Sequence, residues 1–287
     1  MPRALPGDRG PLAIMTSASD KVFAGSIPRV YEEYLVPLIF GAYAEDLARR
    51  VATRPVRRVL EIAAGTGVVT RALAAALPAG VEIVATDLNP AMIDHAQTIG
   101  TSRPVTWRQA DAMQLPFEDV EFDAIVCQFG VMFFPDKPKA FAEARRVLGP
   151  RGVFLFNVWD RIEENDFADT VTDAVATMFP ADPPRFLART PHGYHDRGAI
   201  ARDLMQGGFR AAPEIETRAE ASRAESPHIP AVAYCQGTPL RNEIEARGGS
   251  KLVAATDAAA QAIARRFGSG AVEGKIQAHI VSVEPHD

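Results

Sequence analysis

The stretch Val59-Leu60-Glu61-Ile62-Ala63-Ala64-Gly65-Thr66-Gly67-Val68-Val69-Thr70 decides how the rest of the chain is read. Its apolar run predicts a buried strand over residues 59–63, a tight turn of small residues over 64–67, and an Ala- and Leu-rich helix over 68–77 that Pro78 stops. A strand that enters a helix through glycines makes a ligand cradle. Gly65 and Gly67 lack the Cβ atoms that would hold a bound molecule off the backbone, and the helix N-terminus offers unpaired N–H groups with a partial positive charge.

Composition narrows what such a cradle can serve. With 287 residues, 47% of them apolar, the chain can bury a full core as one large domain or as a domain with a sizeable insertion. A formal charge of −5 argues against a protein that grips phosphate backbones, so nucleic acid is not the expected partner. The densest basic group, Arg49, Arg50, Arg54, Arg57 and Arg58, reads as cations at a helix end and in the loop before the first strand; an anion or RNA contact is the alternative. No apolar run is long enough to span a bilayer and no secretory segment opens the chain, so a cytoplasmic protein is expected. Two cysteines, Cys127 and Cys235, are too few for a disulfide framework or a cysteine zinc site, and no metal is expected.

Outward from the glycine turn, strand and helix alternate. Residues 1–19, rich in Pro and Gly, are expected to be a flexible N-terminus, with Met15 as a possible alternative start. Helical spacing covers 28–52, with a break at Pro37; Tyr31 and Tyr34 either touch a bound molecule or are half-buried aromatics with solvated hydroxyls. A second strand over 81–85 leads to Asp87-Leu88-Asn89-Pro90, where Asn89 caps a helix reaching Ile99. Asp87 thus stands at a strand's carboxyl end, where an acid can accept both hydroxyls of a ribose. A third strand, 105–109, runs into Asp111-Ala112, and a fourth, 121–127, into Gln128 and the loop carrying Met132, Phe133 and Phe134. Those three side chains either wall a reaction site or pack beneath the next helix. A helix over 136–148 and a strand over 153–159 complete an alternation that predicts an α/β fold with a doubly wound, mostly parallel sheet.

From Glu61 to Gly67 the chain resembles the acidic-x-small-x-Gly-x-Gly signature of class I S-adenosylmethionine-dependent methyltransferases, and the resemblance extends to Asp111-Ala112 before Leu115-Pro116-Phe117 and to Arg146-Val147-Leu148-Gly149-Pro150-Arg151-Gly152-Val153. It is strong over 59–159 and points to small-molecule enzymes of the methyltransferase type 11, quinone-biosynthesis-like group. The resemblance implies a seven-stranded Rossmann-like sheet with a late antiparallel strand, a helical leader over the cofactor, and S-adenosylmethionine as that cofactor. It places Glu61, Ala63, Gly65 and Gly67 around the turn, Asp87 and Leu88 at the ribose, Asp111 and Ala112 at the adenine, and Gln128 in a backbone or amide contact. The implied partner is a small-molecule acceptor, with a homodimer as a further possibility. The implied organisation is a leader or cap over 20–54, a cofactor-binding core over 55–160, a lid or substrate insertion over 161–195, and the C-terminal part of the same sheet over 196–287.

Two other readings of the cradle stay open. An NAD-dependent oxidoreductase shares it, but Thr70 stands where a dinucleotide turn wants a third small residue. A non-catalytic adenosyl-binding or regulatory protein is the other. Methyl transfer needs a general base only where the acceptor must lose a proton, and the candidates are His192, His195 and Tyr31. The spacing of His192 and His195 invites a metal, but no third ligand is nearby. Asp196 reads as the cap of a helix over 197–206; beyond it come a strand over 214–221, helices over 231–246 and 252–267, and a last strand over 275–283.

Overall fold

A helical rod leads into the sheet in this computed structural model, which describes Phe23 and residues 25–285. The expected flexible segment 1–19, with Met15, lies outside the described residues. In the rod, α1 (Ile27–Val30), a π-helical stretch (Tyr31–Phe40) and α2 (Gly41–Ala52) follow without interruption. The break expected at Pro37 does not occur. Proline cannot donate to the helical ladder and its ring crowds the carbonyl four residues back; widening the turns relieves both, and the Gly41 N–H reaches the Val36 carbonyl instead.

The core then alternates as β1 (Arg58–Ile62), α3 (Val68–Ala76), β2 (Glu82–Asp87), α4 (Pro90–Ile99), β3 (Thr106–Gln109), β4 (Phe122–Gln128), α5 (Lys137–Val147) and β5 (Leu148–Trp159). The segment 149–152, between the expected helix over 136–148 and strand over 153–159, is a bulged start of β5: Leu148 pairs with Phe122 and Val153 with Ala124. Beyond β5 come α6 (Asp166–Met178), α7 (Phe186–Arg189), α8 (Arg197–Gln206), β6 (Glu214–Ala224), α9 (His228–Gln236), α10 (Leu240–Ala246), α11 (Leu252–Phe267) and β7 (Val272–Val283). The single helix expected over 231–246 is two, because Thr238 Oγ1 accepts from the Leu240 N–H and donates to the Tyr234 carbonyl while Pro239 restarts the chain.

All seven strands form one sheet in the order β3-β2-β1-β4-β5-β7-β6. Strands β1 to β5 run parallel, and β7 lies antiparallel between β5 and β6. Strand order reverses between β1 and β4, so the crevice of the fold opens at their carboxyl ends. Above it sits a helical cap in which α9 packs on the π-helical stretch and, with α11, on α6. Ser222 Oγ donates to the Leu38 carbonyl and Tyr43 Oη to the Arg218 carbonyl, fastening the leader to β6.

Four of the five arginines in the basic group pair within the chain: Asp46 accepts from Arg49 and Arg50, Arg54 pairs with Glu284, and Arg58 with Glu121. Among the described residues no helix is long and apolar enough to cross a membrane.

Gly67 has positive φ (+85°) at the head of α3, and a Cβ there would stand 2.8 Å from the Trp107 ring. Gly100 has a similar φ (+81°) with open space around it. Thermal and urea denaturation should therefore show Gly100→Ala losing about 1–3 kcal/mol through backbone strain alone, and Gly67→Ala losing more than that, because there the Trp107 ring must also move.

Candidate functional site

The glycine turn is held by hydrogen bonds that leave one side of it bare. Ala64 N–H donates to the Thr86 carbonyl and Gly67 N–H to the Ala64 carbonyl, which ties the end of β1 to β2 and closes the turn. Gly65 N–H donates to Asp87 Oδ2 at 2.8 Å, and the other carboxylate oxygen takes the Asn89 N–H at 2.8 Å. Asp87 therefore joins the turn to the start of α4. Burial raises its pKa, and the two N–H donors oppose that rise.

The two glycines do different work. A Cβ on Gly65 (φ +56°) would meet only the Tyr31 hydroxyl, 3.8 Å away, on the cavity side. Gly67, by contrast, faces Trp107 and Ala96 and lets the head of α3 lie close against those two side chains rather than opening onto the cavity. Neighbouring strand ends are equally tight: a Cβ on Gly130 would fall 2.5 Å from the Ala63 methyl. Ala63 (φ 56°) and Phe129 (φ 50°) adopt left-handed backbone there, at about 1–2 kcal/mol each. Phe129 is held by its N–H, which donates to Asn157, and by its ring, stacked on Trp159 at 3.7 Å.

Over this turn lies a cavity whose space, open mouth included, is about 1280 Å³. Ala63, Gly65, Asp87, Leu88, Asp111, Ala112 and Gln128 all line it, as do Tyr31 and His192. Glu61, Gly67 and His195 do not. Glu61 lies behind the turn and accepts from Thr70 Oγ1, so Thr70 serves the buried acid of β1. His195 donates through Nδ1 to the His192 carbonyl at 2.8 Å. Of the loop after β4, Phe133 and Phe134 reach the cavity and Met132 is packed beneath. Tyr34 does not reach it either.

Charge divides the cavity into two halves. The carboxylates on its wall, Asp87 and Asp111, stand beside the glycine turn. Asp111 Oδ1 accepts the Met113 N–H, which fixes the loop after β3. Gln128 donates weakly to the Phe40 carbonyl, and its buried Oε1 has no partner. The other half is aromatic and aliphatic, walled by Phe133, Trp159, Phe186, Leu187 and Tyr234.

Several contributors carried no sequence signal. Arg71 bridges the turn and the leader, donating to the Thr66 carbonyl at 2.7 Å and pairing with Glu32 at 2.6 Å. That pair brings Tyr31 over Gly65. Met92, Tyr234 and Thr238 come from elements far apart in sequence and meet only in the cavity wall.

Comparison with known proteins agrees with this arrangement. Residues 60–156 match the model of a family described as a methyltransferase domain. The chain is 32% identical over 169 residues to the ubiquinone/menaquinone biosynthesis C-methyltransferase UbiE of Cupriavidus metallidurans, spanning 54% of this chain and 68% of that protein. Identity to the enzyme of the same name from Ectopseudomonas mendocina is 28% over 202 residues, 66% of this chain and 74% of the other. In fold, the chain is similar to an N-methyltransferase of Haemonchus contortus solved with phosphomonomethylethanolamine and S-adenosylhomocysteine; the TM-score is 0.58 at 18% identity, over 95% of this chain and 61% of that one.

Burial pushes the Glu61 carboxyl up to about 8 from an ordinary 4.5. Its folded pKa lies above its unfolded one, so its contribution to stability is complete below about pH 4.5 and is lost as the pH rises to about 8. Glutamine keeps its charge at zero throughout. The Tm of Glu61→Gln relative to wild type should rise between pH 5 and pH 8 and level off above; a difference that does not change with pH would show the acid to be ionised in the fold.

Proposed function

Because the chain belongs to the class I S-adenosylmethionine-dependent methyltransferases, enzymes that here move a methyl group to a small molecule, we propose that the polar half of the cavity binds S-adenosylmethionine and the apolar half the acceptor. The observation that carries this reading is the bare face of Gly65, held open toward the cavity by Asp87. Asp87 keeps lone pairs for the ribose hydroxyls, and Asp111 keeps a second oxygen for the adenine amino group, with the Ala112 N–H beside it. Leu88, 44% exposed at the mouth, and Met92 offer apolar surface to the nucleoside. The orphan Oε1 of Gln128 suits a cationic amino group, and the Tyr31 hydroxyl suits a carboxylate. Burial and the nearby acids Asp87, Glu32 and Glu61 raise the Tyr31 pKa, so it serves as a donor rather than a base.

The bound cofactor supplies a methyl group already activated by its sulfonium. What remains for the protein is to bind, to align and to keep water out. The aromatic wall supports an aromatic or isoprenoid-like acceptor, in keeping with the names of the two relatives in the ubiquinone and menaquinone group. A cytoplasmic location accords with Cys127 and Cys235, both buried and unbridged.

Titration calorimetry with S-adenosylhomocysteine checks the cofactor half. Wild type should bind, Gly65→Val should weaken binding by about 100-fold or more, and Asp111→Ala by about tenfold without loss of fold. Binding of NAD in place of S-adenosylhomocysteine, or wild-type affinity in the Gly65→Val protein, would refute the assignment.

A further inference from the structure

The acceptor half of the cavity contains two polar groups that the fold leaves without partners. His192 is 5% exposed, and its Nδ1 lies 2.8 Å from the Asp160 carbonyl. A carbonyl can only accept, so Nδ1 carries the proton and Nε2 presents a lone pair. No described residue donates to that lone pair, and His192 lines the cavity. Tyr234, 4% exposed on α9, lines the same cavity, and its hydroxyl has no hydrogen-bond partner among the described residues. Leaving such a group dry and unpaired costs about 1–3 kcal/mol. Neighbouring polar side chains are already engaged: Asn165 holds the Gln277 backbone with both ends of its amide, and Thr238 Oγ1 spans the break between α9 and α10.

The remainder of this half excludes net charge. Its wall is Phe133, Trp159, Phe186 and Leu187, and among the described residues no lysine or arginine lines the cavity to receive a carboxylate or phosphate. The two carboxylates that could receive an ammonium stand beside the glycine turn. Burial pushes the His192 imidazole down to about 4, against the opposing influence of the Asp160 carbonyl and the Asp160 and Glu163 carboxylates, with His195 adding to the depression. The ring is therefore neutral at physiological pH.

Resting on the cofactor reading above, we propose that His192 Nε2 and the Tyr234 hydroxyl are the specificity-determining groups of the acceptor subsite, and that they select an uncharged, largely apolar acceptor bearing a hydroxyl group. The acceptor's hydroxyl donates to Nε2. As an electron pair from that oxygen, directly or through a conjugated ring, forms the new bond to the methyl carbon and the C–S bond breaks with its pair left on the departing thioether sulfur, the hydroxyl becomes strongly acidic and its proton passes to Nε2, giving an imidazolium. Even a weakly basic imidazole is sufficient for that transfer. The Tyr234 hydroxyl donates to a second oxygen lone pair of the acceptor.

The test uses the full chain saturated with S-adenosylhomocysteine and four probes of one shape: 2-naphthol, naphthalene, 2-naphthoate and 2-naphthylmethylammonium. Calorimetry should show 2-naphthol binding about tenfold or more tighter than each of the others. His192→Asn, whose amide can still donate to the Asp160 carbonyl, should bring 2-naphthol to the level of naphthalene and leave S-adenosylhomocysteine affinity and Tm unchanged. Tyr234→Phe removes one oxygen and should weaken 2-naphthol severalfold. In wild type, the ¹⁵N resonance of His192 Nε2 should move with 2-naphthol and stay still with naphthalene. Tighter binding of either charged probe, or an Nε2 resonance that ignores 2-naphthol, overturns this proposal while the cofactor reading stands. Failure to bind S-adenosylhomocysteine removes both.

Discussion

A buried carboxylate organises this molecule. Asp87 takes the Gly65 N–H on one oxygen and the Asn89 N–H on the other, so the turn after β1 and the helix after β2 are set by one side chain. At 7% exposure the acid is desolvated, which raises its pKa, and the fixed backbone dipoles matched to both oxygens oppose that rise. Its placement requires β1 and β2 to be parallel neighbours in register, Ile62 opposite Thr86, and that register follows from two apolar strands buried on both faces. The cradle is thus a consequence of sheet pairing. Its strained residues, Ala63 and Phe129, are retained because packing at Gly130 and the Trp159 stack leave no room to relax.

The cap has a different origin. Its helices come from both ends of the chain, and their contact with the core depends on a few long-range ties: Arg71 to Glu32, Ser222 to Leu38, Tyr43 to Arg218. The core presents the same carboxyl-edge chemistry whatever covers it, whereas the cap decides what else lines the cavity. A division between a polar half and an apolar half therefore follows from which contacts are local to the sheet and which bridge distant segments.

Much of this was legible from residues alone because the informative contacts are short in sequence or periodic. Val59 to Thr70 announced strand, turn and helix, and Asp87 and Asp111 could be placed at strand ends by counting outward. The cap motif at Asp196 was equally readable, since an aspartate that accepts the N–H three residues on is a local interaction. Legibility failed where tertiary packing overrode propensity: at Pro37, where the rod continues by widening, and at Gly237-Thr238-Pro239, where one helix became two. Tyr234 looked like any helical aromatic, and Gly67 looked like its neighbour Gly65.

By itself, then, the sequence determined the alternation of strands and helices, the parallel sheet, and a glycine cradle at its carboxyl edge, because hydrophobic period, glycine and short capping spacings act over a few residues. Only the tertiary structure decided which glycine faces the cavity and which faces Trp107, that Glu61 stands behind the turn, and that His192 and Tyr234 share a wall with Phe133 and Phe186. Those outcomes depend on groups as much as two hundred residues apart being brought together by the packing of the cap, and no local pattern encodes that packing.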